Sequence, residues 1–125
     1  MTGAPLAEFR RGFAGCEIAV LADVSARSVL AWDSAVKWPQ EHLDALCTLA
    51  AELLSISACG AVREPETAVL ADPIGTKVFV RAAPGSHEVL CTVFAPTAVF
   101  DGVFDASRTL CAAMLKAAPP RQAVP

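Results

Sequence analysis

The chain has no tyrosine, and only two tryptophans and six phenylalanines stand in for aromatics. It has two histidines, and charged residues are 18% of the total, below the usual ~25%. So few histidines, with no acids placed to converge, make a poor catalytic inventory. No G-x-G-x-x-G, G-x-x-x-x-G-K-[ST] or G-x-S-x-G occurs, which removes dinucleotide-binding, P-loop and serine-hydrolase signatures. The basic residues are scattered, with only Arg10 and Arg11 adjacent, and the net charge is −3. That excludes a nucleic-acid footprint and a polybasic membrane patch. The five cysteines form no C-x-x-C pair, so zinc-knuckle and thioredoxin motifs are absent. They read as reduced, buried small hydrophobes, and no cofactor or metal is expected.

The N-terminus lacks a basic-then-apolar signal design, so the expected setting is the cytoplasm. The greasiest run, residues 43–62, carries Asp44 and Glu52. A charge at the centre of a bilayer costs about 2.5–3.5 kcal/mol, so this run reads as the helix of a soluble protein, not a membrane span.

Apolar residues are what the chain has in quantity. They make up 54% of 125 residues, against a typical ~45–50%. A single domain over residues 1–116 with a disordered tail at 117–125 fits this length. One small core cannot hide so much apolar surface, which points to self-association.

The pentapeptide AVLAD occurs at 19–23 and again at 68–72. Each copy ends an apolar run in an aspartate at a turn, where the side chain bonds nearby backbone. Asp23 and Asp72 therefore read as turn residues in a recurring hairpin design, not as a catalytic pair. HEVLC at 87–91 faintly resembles a zinc-binding helix motif. It reads as strand, which sets His87 and Cys91 ~13 Å apart, too far to share a metal. His42 and Cys47 are poorly spaced for a base and its nucleophile.

Periodicity supplies the element order. Leu6, Phe9 and Phe13 mark a short helix over 5–13, broken by Gly12 and Gly15. EIAVLADV and SVLAW form two strands joined by a loose turn. Residues 38–57 carry the strongest helix signal, opened by Pro39 and ended by Gly60. Its stripe is Leu43, Leu46, Cys47, Ala50, Leu53 and Leu54, with a second apolar row at Ala45, Leu49 and Ile56. Asp44, Thr48 and Ser55 form a narrow polar strip. Three strands follow: TAVLA, TKVFVRA and HEVLCTVFA. In the middle one, alternation puts Val78 and Val80 on one face and Lys77, Phe79 and Arg81 on the other. Residues 97–116 read as a final helix, weakened by Gly102. Trp32 and Trp38 flank the lead-in to the long helix and read as packing or edge-covering residues. The order α-β-β-α-β-β-β-α describes an α+β sandwich.

This arrangement resembles the roadblock/LC7 family, within the wider roadblock, longin and profilin-like architecture. The likeness rests on the short helix with Phe9 and Phe13, GCEIAVLADVSARSVLAW, PQEHLDALCTLAAELL, AVLADPIGTKVFVRAAPG, HEVLCTVFA and the last helix. One departure is the first hairpin turn, DVSARS, where family members often have a glycine in a D-x-x-G phrase. The resemblance implies a five-stranded antiparallel sheet ordered 2-1-5-4-3, with the long helix on one face and the terminal helices on the other. The third strand is then an edge, here Thr67, Ala68, Val69, Leu70 and Ala71, with no lysine to guard it. The resemblance implies a homodimer through that edge and the row Ala45, Leu49 and Ile56. It also implies a non-enzymatic module that regulates or scaffolds a small Ras-like GTPase or a signalling complex. Asp44, Thr48 and Ser55 are the candidate partner contacts. The competing reading is a PAS- or GAF-like small-molecule sensor, with an enzyme of unrecognised site and a profilin-like binder behind it.

Overall fold

The computed structural model describes residues 4–55, 66–73, 75–83, 85–96, 98 and 101–117. Ile56, Cys59, Gly60 and residues 118–125 lie outside them, as does the side chain of Asp72.

The elements are α1 (Ala4–Arg11), β1 (Cys16–Asp23), β2 (Ser28–Ser34), α2 (Gln40–Ser55), β3 (Thr67–Asp72), β4 (Gly75–Arg81), β5 (Glu88–Phe94) and α3 (Val103–Ala117). The strands form one antiparallel sheet in the order β2-β1-β5-β4-β3. The element order is the one read from periodicity, and the strand order is the one that the roadblock/LC7 resemblance implies.

Strand alternation sorts the side chains into two layers. Ile18, Val20, Phe79, Val89 and Cys91 meet Leu43, Leu46, Cys47, Ala50 and Leu54 of α2 on one face. On the other, Ala19, Leu21 and Leu90 pack with Leu6 of α1 and with Cys111 and Met114 of α3. Val78, Val80 and Phe94 extend that layer to Val103, with Phe13 set edge-on to Phe94 at 6.1 Å between ring centroids. Burying a Leu, Phe or Val side chain contributes about 1.5–3 kcal/mol, so these layers dominate the stability. The faces predicted for Val78, Phe79 and Val80 are the observed ones.

Pro39 stands just before α2, and its carbonyl accepts from His42 N at 3.0 Å and Leu43 N at 3.2 Å. Arg10 at the end of α1 ties that helix to the outer strand, with Nε 2.6 Å from Asp33 Oδ2.

The final helix differs from expectation. It begins at Val103, not near 97. Gly102 has φ 79°, a left-handed conformation that no helix interior adopts, and its carbonyl accepts from Ala106 N at 3.0 Å. Gly102 is thus the residue that starts the helix. No described helix is long and apolar enough to cross a membrane.

Candidate interaction surface

The sheet has two rims. β4 pairs with β3 in register from Thr67↔Val80 to Asp72↔Gly75, without a bulge, and among the described residues no strand lies on the other side of β3. Cross-strand partners share a face, so Ala68 and Leu70 lie on the α2 side, opposite Phe79 and Lys77. Thr67, Val69 and Ala71 lie on the α1/α3 side, opposite Val80, Val78 and Thr76. Val69 is 49% exposed and Leu70 37%. Ala71 is exposed, while Thr67 and Ala68 are half-buried.

The flank of α2 next to this rim is apolar. Trp38, His42, Ala45, Leu46 and Leu49 line a groove of ≈ 350 Å³ that reaches Lys77, the register partner of Leu70. Trp38 and His42 meet edge-on with ring centroids 6.0 Å apart. Ala45 is exposed, and Leu49 packs partly on the core. Ala45 and Leu49 of the second apolar row and the β3 strand, separate in sequence, therefore adjoin in space.

The polar strip lies on the opposite flank. Asp44 is exposed, and its Oδ1 accepts from Gln40 Nε2 at 2.9 Å, one helical turn away. It borders a cleft shared with β2. Ser55 is exposed and borders a second cleft with Arg81 and His87, while Thr48 is half-buried. Arg27 lines both clefts.

Three features escape a linear reading. Arg27 has φ 53°, so an arginine holds the left-handed position in the glycine-free first turn. Arg81 is 4% exposed and donates from Nη2 to the Leu54 carbonyl at 2.8 Å and from Nη1 to the Ser86 carbonyl at 2.7 Å. It thereby satisfies a carbonyl in the last turn of α2 and fixes that end of the helix to the β4–β5 connection. Trp32 is 45% exposed beside Leu30 on β2, a second apolar rim. The only hint of it in the sequence is that SVLAW carries apolar residues in both phases.

The titratable groups are structural in character. Asp23 Oδ1 accepts from the Ser25 hydroxyl at 2.6 Å, Ser25 N at 2.9 Å and Ala26 N at 3.2 Å. The Ser25 hydroxyl bond is the main cause holding its carboxyl below the usual 3.8. Burial pushes the Cys16 and Cys111 thiols up to about 11, and raises Cys47 and Cys91 as well. These four cysteines are free and buried, the state in which thiols are unreactive. Among the described residues no group of three His, Cys, Asp or Glu side chains could hold a metal ion.

No family model matches the chain, and neither does any curated protein. Solved structures do match. The roadblock/LC7 domain from Streptomyces avermitilis superposes with a TM-score of 0.74 over 88% of this chain and 91% of that chain, at 15% identity. MglB in a tetrameric arrangement gives a TM-score of 0.73 at 26% identity, covering 90% of this chain and 84% of that chain. The gliding protein MglB from Thermus thermophilus gives 0.71, again at 26% identity, covering 90% of this chain and 84% of that one. With this strand order, this placement of helices on the two sheet faces and these neighbours, the chain has a roadblock/LC7-type fold.

Proposed function

We propose that the chain is a non-enzymatic, homodimeric regulatory module. Two copies pair along β3 and pack Ala45 and Leu49 of α2, together with Ile56, against their counterparts. The paired helices then offer a surface to a small Ras-like GTPase or its signalling complex in the cytoplasm, with Asp44, Thr48 and Ser55 as polar contacts. One observation carries the reading. Among the described residues β3 is an unbulged edge with Val69 and Leu70 exposed, and Leu70 lies on the side of the sheet that carries an apolar groove. Native proteins cover such edges, and a second copy is the simplest cover. The tetrameric arrangement of MglB supports self-association. The GTPase rests on the resemblance to the roadblock/LC7 family. The similar structures do not favour the PAS- or GAF-like alternative.

The first test is mass in solution. Light scattering is expected to give at least twice the 13.0 kDa chain mass, and Leu70→Asp to yield monomer. A wild-type chain that stays monomeric at high concentration would sink the proposal. The second test is calorimetric titration with a Ras-like GTPase from the same organism. Affinities that differ between the GDP and GTP forms support the client assignment, and equal or absent binding in both removes it.

A further inference from the structure

The β1–β2 turn, the β4–β5 connection and the last turn of α2 meet around a cleft of ≈ 300 Å³. Its lining holds two arginines, Arg27 and Arg81, and one of the chain's two histidines, His87. Among the described residues no Asp or Glu lines it. In a chain of net charge −3 this is a local reversal of sign.

Each cationic side chain is held from a different part of the fold. Arg81 of β4 is buried, and it donates to the carbonyls of Leu54 and Ser86. It brings charge to the cleft and leaves the gripping to others. Its bond to Leu54 also occupies a carbonyl at the C-terminal end of α2, the end whose dipole repels an anion. His87 is exposed, and its carbonyl accepts from Val24 N at 2.9 Å, which fixes its backbone beside the end of β1. Arg27 is exposed at φ 53°, backbone that glycine would hold without strain. Strain of this kind gathers where a side chain is put to use. The Ser25 and Ser55 hydroxyls donate to Asp23 Oδ1 and to the Glu52 carbonyl, so Arg27 and His87 supply the donors for a guest. Asp23, in electrostatic contact with His87, has its Oδ1 occupied by three bonds from its own turn.

We infer that this cleft binds a phosphate group, free or carried by a small metabolite. The Arg27 guanidinium and a ring N–H of His87 hold its oxygens, within the positive field of Arg81. A phosphate dianion matches two guanidinium charges, whereas a carboxylate brings only one negative charge. The cleft is at the small end of the range for ligand pockets, and no Phe or Trp lines it. It therefore grips the phosphate and a short carbon chain, and offers no platform for a base. This site requires neither the dimer nor the GTPase proposed above.

The test is a nuclear magnetic resonance titration of the full chain with inorganic phosphate, at constant pH and with chloride balancing the ionic strength. The Ser25 and Arg27 amide signals and the His87 ring signals are expected to shift together and to saturate. Arg27→Gly and His87→Gln should each weaken binding about tenfold. Arg27→Gly is expected to be at least as stable as wild type, so its weaker binding is not a loss of fold. Arg11→Ala removes the same charge at the far end of β1, beside Cys16, and should leave binding unchanged. Glycerol 3-phosphate and acetate separate the sources. Tighter binding of glycerol 3-phosphate assigns the cleft to a phosphate ester, and equal binding assigns it to free phosphate. Acetate as tight as phosphate, shifts that never saturate, or shifts that survive both cleft variants overturn the inference.

Discussion

The same five residues, AVLAD, lead opposite lives in β1 and β3. In β1, Val20 is 0% exposed and Leu21 4%; in β3, Val69 is 49% and Leu70 37%. The phase is inverted as well. Val20 faces α2 and Leu21 faces α1 and α3, whereas Leu70 faces α2 and Val69 the other side. Local sequence is constant across the pair, so it cannot explain the difference. Position in the sheet does: β1 is flanked by β2 and β5, whereas among the described residues β3 has only β4. A sequence suited to a central strand has been placed at an edge, and this mismatch is the physical case for a second copy.

Matched substitutions break the comparison most directly. Leu21→Ala empties a core site and is expected to cost about 3 kcal/mol of folding stability. For a chain of this size that is a fall of about 10 °C in melting temperature, with the dimer constant otherwise unchanged. The twin Leu70→Asp is expected to leave the monomer's stability within about 0.5 kcal/mol. Association should weaken about 100-fold, as for a central interface anchor. If the two leucines exchange these effects, β3 is not the interface.

A smaller effect is expected where the first copy ends. Asp23→Ala removes an acceptor of three local hydrogen bonds and should cost about 1 kcal/mol. The folded carboxyl titrates below its usual 3.8, so its contribution is complete above that value. It is lost as pH falls through the lower folded value. Urea melts of both proteins should therefore differ at neutral pH and converge in acid. The smallest effect belongs to the turn that leads into β2. Arg27→Gly relieves left-handed strain of about 1 kcal/mol against a glycine entropy cost of about 0.5 kcal/mol. The net gain, about 0.5 kcal/mol, is measurable by the same melts.

Elements ruled by short periods were legible from the sequence. The alternation of Val78, Phe79 and Val80 and the α2 stripe appear in the fold where their spacing puts them. The turn role of Asp23 followed from its chemistry. The start of α3 was not legible, because the apolar pattern runs unbroken through 99–104 while the break is a single backbone torsion at Gly102. Arg81 was read only as a residue on one face of a strand. Its bond to Leu54 spans 27 positions and is a product of the tertiary fold. The apolar row of α2 and the edge strand were each visible alone. Their adjacency through Lys77 needed the three-dimensional arrangement.

The four buried thiols make the molecule its own stopwatch. Cys47 belongs to α2, Cys91 to β5, Cys111 to α3 and Cys16 to the start of β1. All are protonated and sealed at neutral pH, so a maleimide added to the native protein can modify them only when their layer opens. The order in which they become modified would reveal which part of the sandwich loosens first, and whether adding a second copy slows the side of the sheet it covers.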